Sequence, residues 1–354
     1  MLSILSEINP EIGIKERYMV ERKILITGAS GEIGQALIQS LSADNCSEII
    51  SVDLKPLPDK LHGKSKHILG NLLDKTLLQS LEKEYSFSHI FHLAALLSTT
   101  AEFNPHLAHK VNTCSTIDLL EIAARQSQEE NQAVKFLFPS SIAVYGLPDL
   151  ETKDSVPPLK ENQWTEPTTM YGCSKLYCEK VGIYYSDHYQ QLADQIPVRL
   201  DFRALRYPGI ISAFTIPSGG TSDFGPEMVH AAAQGKPYNS FVRSDVRIPF
   251  MVMPDAVRSL LMLSKAPKEQ LRQRVYNITS FNLSAGEFKE LTEMGFPDAK
   301  INFEPDPQRQ SIVDSWPADV DDSPARADWQ WHPEYTVEEA CQEYLIENIK
   351  RHYS

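Results

Sequence analysis

The chain has 354 residues, 42% of them apolar, which suffices for a full core and suggests two or three domains at most. A formal net charge of −13 argues against a nucleic-acid partner, because phosphate binding calls for a basic surface. No apolar run approaches the ~20 residues of a membrane span, which excludes a helical membrane protein on composition. Five cysteines without regular spacing suit free thiols in a reducing compartment. Glu7, Glu11 and Glu16 fit neither a signal peptide nor an acid-poor transit peptide, so the expected location is the cytoplasm. His89 and His92 bracket an apolar strand and read as core histidines, and no metal site is expected.

Residues 1–21 form an N-terminal extension, and the first element is a short apolar strand, Ile24 to Ile26. Gly28, Gly31 and Gly34 follow, with Ser30, Glu32 and Ile33 between them, and a helix-period pattern (Ile33, Leu37, Leu41) starts at once. Strand, glycine turn and helix start in that order make a site for a pyrophosphate. Backbone N–H groups and the positive helix end face the anion, and glycine removes the Cβ that would block close approach. Asp53 closes the next apolar strand, Ile49 to Val52, at the spacing of about twenty residues expected of a ribose-binding acid. These signs together predict dinucleotide binding.

The run from Lys55 to Lys66 reads as a loop, His67 to Gly70 as a third strand, and a helix then reaches about Glu84. His89 to Leu93 is a fourth strand ending in Ala94 and Ala95. Asn104-Pro105 opens a long helix to about Arg125, with Asn104 as N-cap. Phe136 to Phe138 is a fifth strand, ending at Pro139-Ser140-Ser141. The proline- and acid-rich stretch from Leu147 to Thr169 reads as a surface excursion. A helix from about Tyr171 to Gln191 and a sixth strand, Val198 to Tyr207, complete the first pattern. Such alternation predicts an α/β fold, a Rossmann doubly wound parallel sheet.

From Pro208 the pattern changes. Pro217 to Thr221 is a glycine loop, and Pro226 to Gln234 a helix. Arg247 to Met253 is a strand leading to Asp255, read as the N-cap of a helix through Leu263. Val275 to Ile278, a helix near Ala285 to Met294, and Ile301 to Phe303 look like a small α/β layer. Asp321 to Pro324 starts another helix, and Val337 to Arg351 closes the chain. The expected division is a nucleotide domain over 22–209 and a smaller C-terminal α/β lobe over 210–354, with 247–264 returning to the first.

Parallel sheets place ligands at the carboxyl ends of their strands. That selects the glycine turn, Asp53, Asn71, Ala94 to Ser98, Ser140, Ser141 and Tyr207 to Gly209. Tyr171 and Lys175 lie four apart on a helix and share a face. A free phenol, with a pKa of roughly 10, is too weak an acid to serve as a base at neutral pH. A nearby ammonium and a positively charged nicotinamide would favour the phenolate, and a strand-end serine could hold the substrate oxygen beside it.

The glycine turn, the strand-end serine and Tyr171-x-x-x-Lys175 resemble the extended short-chain dehydrogenase/reductases. Leu205 to Ile211, Gly219 to Asp223, Arg247 to Ala256 and Asp314 to Pro317 narrow the resemblance to the short-chain type of L-threonine 3-dehydrogenases. His92 to Ser98 resembles the same family's fourth strand and the loop after it. The resemblance implies NAD as cofactor and oxidation of the C3 hydroxyl of L-threonine, or of a close β-hydroxy amino acid, to L-2-amino-3-oxobutanoate. It implies Tyr171 as base, Lys175 as its electrostatic partner and ribose ligand, and Ser141 as hydroxyl donor. Ser98, Ser140 and Thr221 would contact the amino acid, and Asn71 and Leu72 would flank the adenine. Asp53 would select NAD over NADP. Leu93, Ala94, Ala95, Tyr207 and Pro208 would line the cofactor, and a homodimer is implied. Ser141 stands where the family usually has threonine and Asn71 where it usually has aspartate. Two rivals are a nucleotide-sugar epimerase or dehydratase with the same phenol and lysine, and a catalytically silent NAD(H) sensor.

Overall fold

The structure is a computed structural model that describes residues 21–43, 48–193, 197–215, 217 and 220–353. Residues 1–20, and 218 and 219 of the glycine loop, lie outside the described residues. The chain begins with strand β1 (Lys23–Thr27), helix α1 (Glu32–Ala43), β2 (Ile49–Asp53), β3 (Lys66–Leu69), α2 (Lys75–Glu84) and β4 (Phe87–His92). Asp74 caps α2, its carboxylate accepting from Thr76 N. Then come α3 (Ser98–Phe103), α4 (Pro105–Ala108), a π-helical segment (His109–Cys114), α5 (Ser115–Glu130) and β5 (Val134–Ser141). Next are α6 (Leu150–Ser155), α7 (Met170–Asp187) and β6 (Leu200–Tyr207).

The remainder holds β7 (Gly209–Ile211), α8 (Phe224–Ala233), β8 (Tyr238–Ser240), β9 (Arg247–Val252), α9 (Met253–Lys265), β10 (Val275–Asn277) and β11 (Phe281–Ser284). It ends with α10 (Ala285–Gly295), β12 (Ile301–Phe303), α11 (Pro307–Asp314), α12 (Ser323–Trp329), a second π-helical segment (Glu339–Ile346) and α13 (Glu347–Tyr353).

Seven parallel strands form the central sheet in the order β10-β6-β5-β4-β1-β2-β3. Side chains alternate across its faces. Ile24 and Ile26 enter one apolar cluster with Leu37, Phe91 and Leu137, while Leu25 enters the other with Leu119, Ile90 and Phe136. Each such fully buried Leu or Ile stabilises the fold by about 2 kcal/mol. The strand order reverses between β1 and β4, and there the crevice for a ligand opens. Two small sheets build the lobe: β11-β9-β7 and β12-β8. Among the described residues no helix is long and apolar enough to cross a membrane, and no three His, Cys, Asp or Glu side chains cluster as metal ligands would.

Four elements differ from the sequence reading. The helix expected from Asn104 to Arg125 is broken by the π segment, and a further helix, α3, precedes it. Asn104 makes no capping bond. Asp255 is not the N-cap of α9 but lies within its first turn, fully buried, its carboxylate accepting from Glu334 N and Ser280 Oγ. Val275 to Asn277 pairs with β6 as the outer strand of the main sheet instead of lying in the lobe layer. A three-residue strand does not announce its neighbour, and only the register Val275↔Ala204 assigns it.

The stretch from Leu147 to Thr169 runs over the surface as expected, most of its residues exposed, but it is anchored at a few buried points. Leu147 N donates to Ser315 O and Leu159 N to Asp319 O, and both leucines are buried. The Lys153 ammonium is buried too, donating to Val313 O at 2.9 Å. Charged composition concealed a strap that ties β5 to the C-terminal lobe.

Candidate active site

The glycine turn is shaped by close approach. Gly28 has φ +69°, and a Cβ there would stand 2.6 Å from Ala94 N. A Cβ at Gly34 would stand 2.5 Å from Gly28 O, so α1 sits directly on the turn. The start of α1 leaves first-turn N–H groups without intrahelical partners. This cradle, floored by glycine and by the backbone of Leu93 and Ala94, fits the pyrophosphate of a dinucleotide. Asp53 lies beside it, its carboxylate accepting from Ser30 N and Lys55 N, each at 2.9 Å. Ser30 Oγ donates to Lys55 O, which ties the turn to the end of β2. Asn71 is exposed, with Oδ1 accepting from Leu73 N, and Leu72 is buried next to it. Glu32 is exposed at the start of α1, with Thr215 and Asp223 nearby.

His92, 1% exposed, bridges Thr27 Oγ1 at 2.7 Å and Thr116 Oγ1 at 2.9 Å at the end of β4. Burial pulls its imidazole down to about 3, which makes it a neutral core residue. Behind the next loop, Asn112 Oδ1 accepts from Leu96 N at 2.7 Å and Nδ2 donates to Leu96 O at 3.0 Å. The π segment carries Asn112, and π turns recur at functional sites.

The ends of β5 and α7 bring three sequence-selected groups together. Thr169 caps α7, and a Cβ at Gly172 would stand 2.0 Å from Ala143 O, so the helix start rests on the chain leaving β5. There the Tyr171 phenol lies near the Ser141 hydroxyl, which accepts from Ala143 N at 3.1 Å. Lys175 Nζ donates to Pro139 O at 2.6 Å and stands 4.5 Å from the Phe138 ring centroid. Burial pushes the Tyr171 phenol up to about 12, an effect the nearby Ser141 hydroxyl only partly offsets. The same burial pulls Lys175 down to about 8. Across the crevice Thr221 Oγ1 donates to Ser98 Oγ at 3.2 Å, which joins the lobe to the loop after β4.

Two selected residues are not part of this group. Ser140 is buried and its hydroxyl donates to Glu179 Oε1 at 2.5 Å. Tyr207 is buried with its phenol donating to Ala256 O at 2.7 Å, and Pro208 after it is buried as well. Glu179 was missed by sequence reasoning, although its place one turn beyond Lys175 on the same face was the available signal. Arg206 pairs with it through both guanidinium edges, Nε–Oε1 2.9 Å and Nη2–Oε2 2.7 Å. Trp316 is buried in the lobe core.

Residues 24–279 match the model of the NAD dependent epimerase/dehydratase family. The mitochondrial L-threonine 3-dehydrogenase of Bos taurus is 32% identical over 323 residues, covering 90% of this chain and 80% of the bovine one. A solved partial-consensus L-threonine 3-dehydrogenase superposes with TM-score 0.80 at 34% identity, over 93% of this chain and 99% of that one. A monomeric L-threonine 3-dehydrogenase from a metagenome superposes with TM-score 0.79 at 33% identity, over 94% of this chain and 100% of its own. With the match running from the first strand past the seventh, the chain belongs to the NAD dependent epimerase/dehydratase family.

Proposed function

We propose that this chain is an NAD-dependent L-threonine 3-dehydrogenase that converts the C3 hydroxyl of L-threonine to the ketone of L-2-amino-3-oxobutanoate. The observation that carries the reading is the phenol of Tyr171 beside the Ser141 hydroxyl, with the Lys175 ammonium beneath its ring. Relatives that bear this name at 31–32% identity across about nine-tenths of the chain support the choice of substrate.

The glycine turn, shaped by Ser30 and Gly31, would hold the pyrophosphate through the first-turn N–H groups of Glu32, Ile33 and Gly34. Asp53 would take the adenosine ribose, Asn71 and Leu72 would flank the adenine, and Leu93, Ala94 and Ala95 would line the cleft. NAD, when bound, supplies the hydride acceptor and a positive charge. Ser141 holds the substrate hydroxyl oxygen, and Tyr171 takes its proton as C3 gives up hydride. Lys175 would bind the nicotinamide ribose, and the cofactor's positive charge would favour the phenolate. Ser98 and Thr221, already in contact across the crevice, would hold the amino acid's carboxylate and ammonium. The roles for Ser140 and Tyr207 are not carried forward, since both hydroxyls face other partners. The four described cysteines are free thiols, which accords with a cytoplasmic enzyme.

The test is NADH formation from NAD and L-threonine by the full chain. Absence of turnover with L-threonine, alongside turnover of a nucleotide sugar, would sink the assignment.

A further inference from the structure

Three consecutive residues of β5 meet three residues one helical turn apart on α7. The Ser141 hydroxyl stands near the Tyr171 phenol, Pro139 O accepts from Lys175, and Ser140 Oγ donates to Glu179. Residues four apart on a helix share a face, so Tyr171, Lys175 and Glu179 form one row against the strand end. Glu179 is buried at the bottom of that row, and Arg206, opposite Ser140 on β6, neutralises it. Arg206 reaches on to Tyr145 Oη at 2.9 Å and to Glu161 O at 2.8 Å, in the strap between β5 and α7.

We propose that Glu179 is a positioning residue for the dehydrogenation: through Ser140 it fixes the register between the end of β5 and α7, and so sets Ser141 and Pro139 O where they meet the phenol and the ammonium. The inference rests on the dehydrogenase reading above. A bidentate ion pair with Arg206 needs no serine to be complete. The Ser140 bond is an additional tie to the strand that carries Ser141. The reaction depends on this register, because the substrate hydroxyl must lie between Ser141 and Tyr171, and a displacement of ~1 Å at such a site lowers the rate about a hundredfold. The Glu179 charge also opposes the effect of burial on Lys175.

The experiment compares Ser140→Ala and Ser140→Thr in the parent and in a Glu179→Gln/Arg206→Met background, where both members of the buried pair are replaced so that no charge is stranded. In the parent, Ser140→Ala is expected to lower kcat about tenfold, a partial loss of that positioning. KM for L-threonine and NAD should stay near the parent values. The rise of kcat with pH should move to higher pH as the phenol loses its neighbours. Ser140→Thr should restore both. In the double-variant background kcat should already be low, and Ser140→Ala should lower it little further. The inference is overturned if Ser140→Ala leaves kcat and its pH profile unchanged, or raises only KM for L-threonine, which would put Ser140 on the substrate. It is equally overturned if Ser140→Ala lowers kcat as much without Glu179 as with it. A parent that forms no NADH from L-threonine is a different result and falls on the functional reading.

Discussion

Lys175 stands 5.5 Å from the centre of the Tyr171 ring while its hydrogen bond goes to Pro139 O, so the ammonium does not itself acidify the phenol. Burial there pushes the phenol up to about 12. Activation must therefore arrive with the positively charged cofactor, whose charge lies in a partly dry cleft where electrostatic effects are strong. Tyr171→Phe should lower kcat by ~10²–10⁴ and leave NADH binding, followed by fluorescence titration, close to the parent value. In the parent, kcat should rise with pH and level off well below 12. A phenylalanine variant as active as the parent would remove the base from the scheme.

The glycine turn makes a sharper test of cofactor binding. At Gly28 the backbone has φ +69°, and an added Cβ would lie 2.6 Å from Ala94 N and 2.8 Å from Leu93 C, both main-chain atoms. Neither can move without shifting the end of β4. Gly28→Ala should weaken NAD affinity by at least tenfold and also cost about 1–3 kcal/mol of stability through the strained φ. Isothermal titration and urea unfolding read the two effects. An alanine variant with parental NAD affinity would mean the pyrophosphate does not use this turn.

Much of this was legible because it is local. The short, mainly apolar runs at Ile24–Ile26 and Ile49–Val52, and a helix pattern directly behind the glycines, specify strand, turn and helix without reference to distant residues. What escaped the sequence depends on long-range partners. Nothing in Val275-Tyr-Asn277 says that its neighbour is β6, and nothing in the charged run from Leu147 to Thr169 says that Lys153 will be buried against Val313 O. Asp255 has the residue type and place of an N-cap, yet the N–H of Glu334, nearly eighty residues on, takes its carboxylate. Ser140 and Ser141 are the same residue type, side by side. Only the positions of Glu179 and Tyr171 separate their tasks.

Acid should destabilise the protein through His92. Its folded-state value of about 3 lies below the ordinary 6.5, so the unfolded chain takes up a proton that the folded chain refuses. The stability due to the neutral imidazole is fully present above pH 6.5 and is lost as pH falls toward 3. Each pH unit in that window costs up to about 1.4 kcal/mol per such group. His89, down to about 4 by burial, adds to the slope. Urea midpoints measured between pH 7 and about 4.5 should fall in the parent and fall less steeply in His92→Gln, which removes one titrating site. Parallel slopes for the two proteins would show that His92 is protonated in the folded state.

Oligomeric state is the remaining expectation, and the exposed apolar residues give it a location. Phe103 is 80% exposed at the end of α3, with Leu107 at 45% on α4 and Tyr177 and Tyr184 at 46% and 42% on α7. Glu102 Oε1 accepts from Met170 N, so α3 is docked at the start of α7 and these side chains belong to neighbouring elements. Tyr177 and Tyr184 are seven apart, two turns along one helix face, the spacing of a stripe that packs against a partner helix. Joined across a twofold axis, such a stripe covers itself, as isologous interfaces do. A stable interface buries about 800 Å² on each partner, and aromatic residues at its centre dominate the affinity. We therefore expect a dimer by analytical ultracentrifugation at micromolar concentration, and a monomer after Phe103→Glu with Tyr184→Lys. Both substitutions are at exposed positions, so thermal stability at low protein concentration should change by less than about 1 kcal/mol. A monomeric parent would place this chain with the monomeric metagenome relative and leave the stripe without a twofold partner.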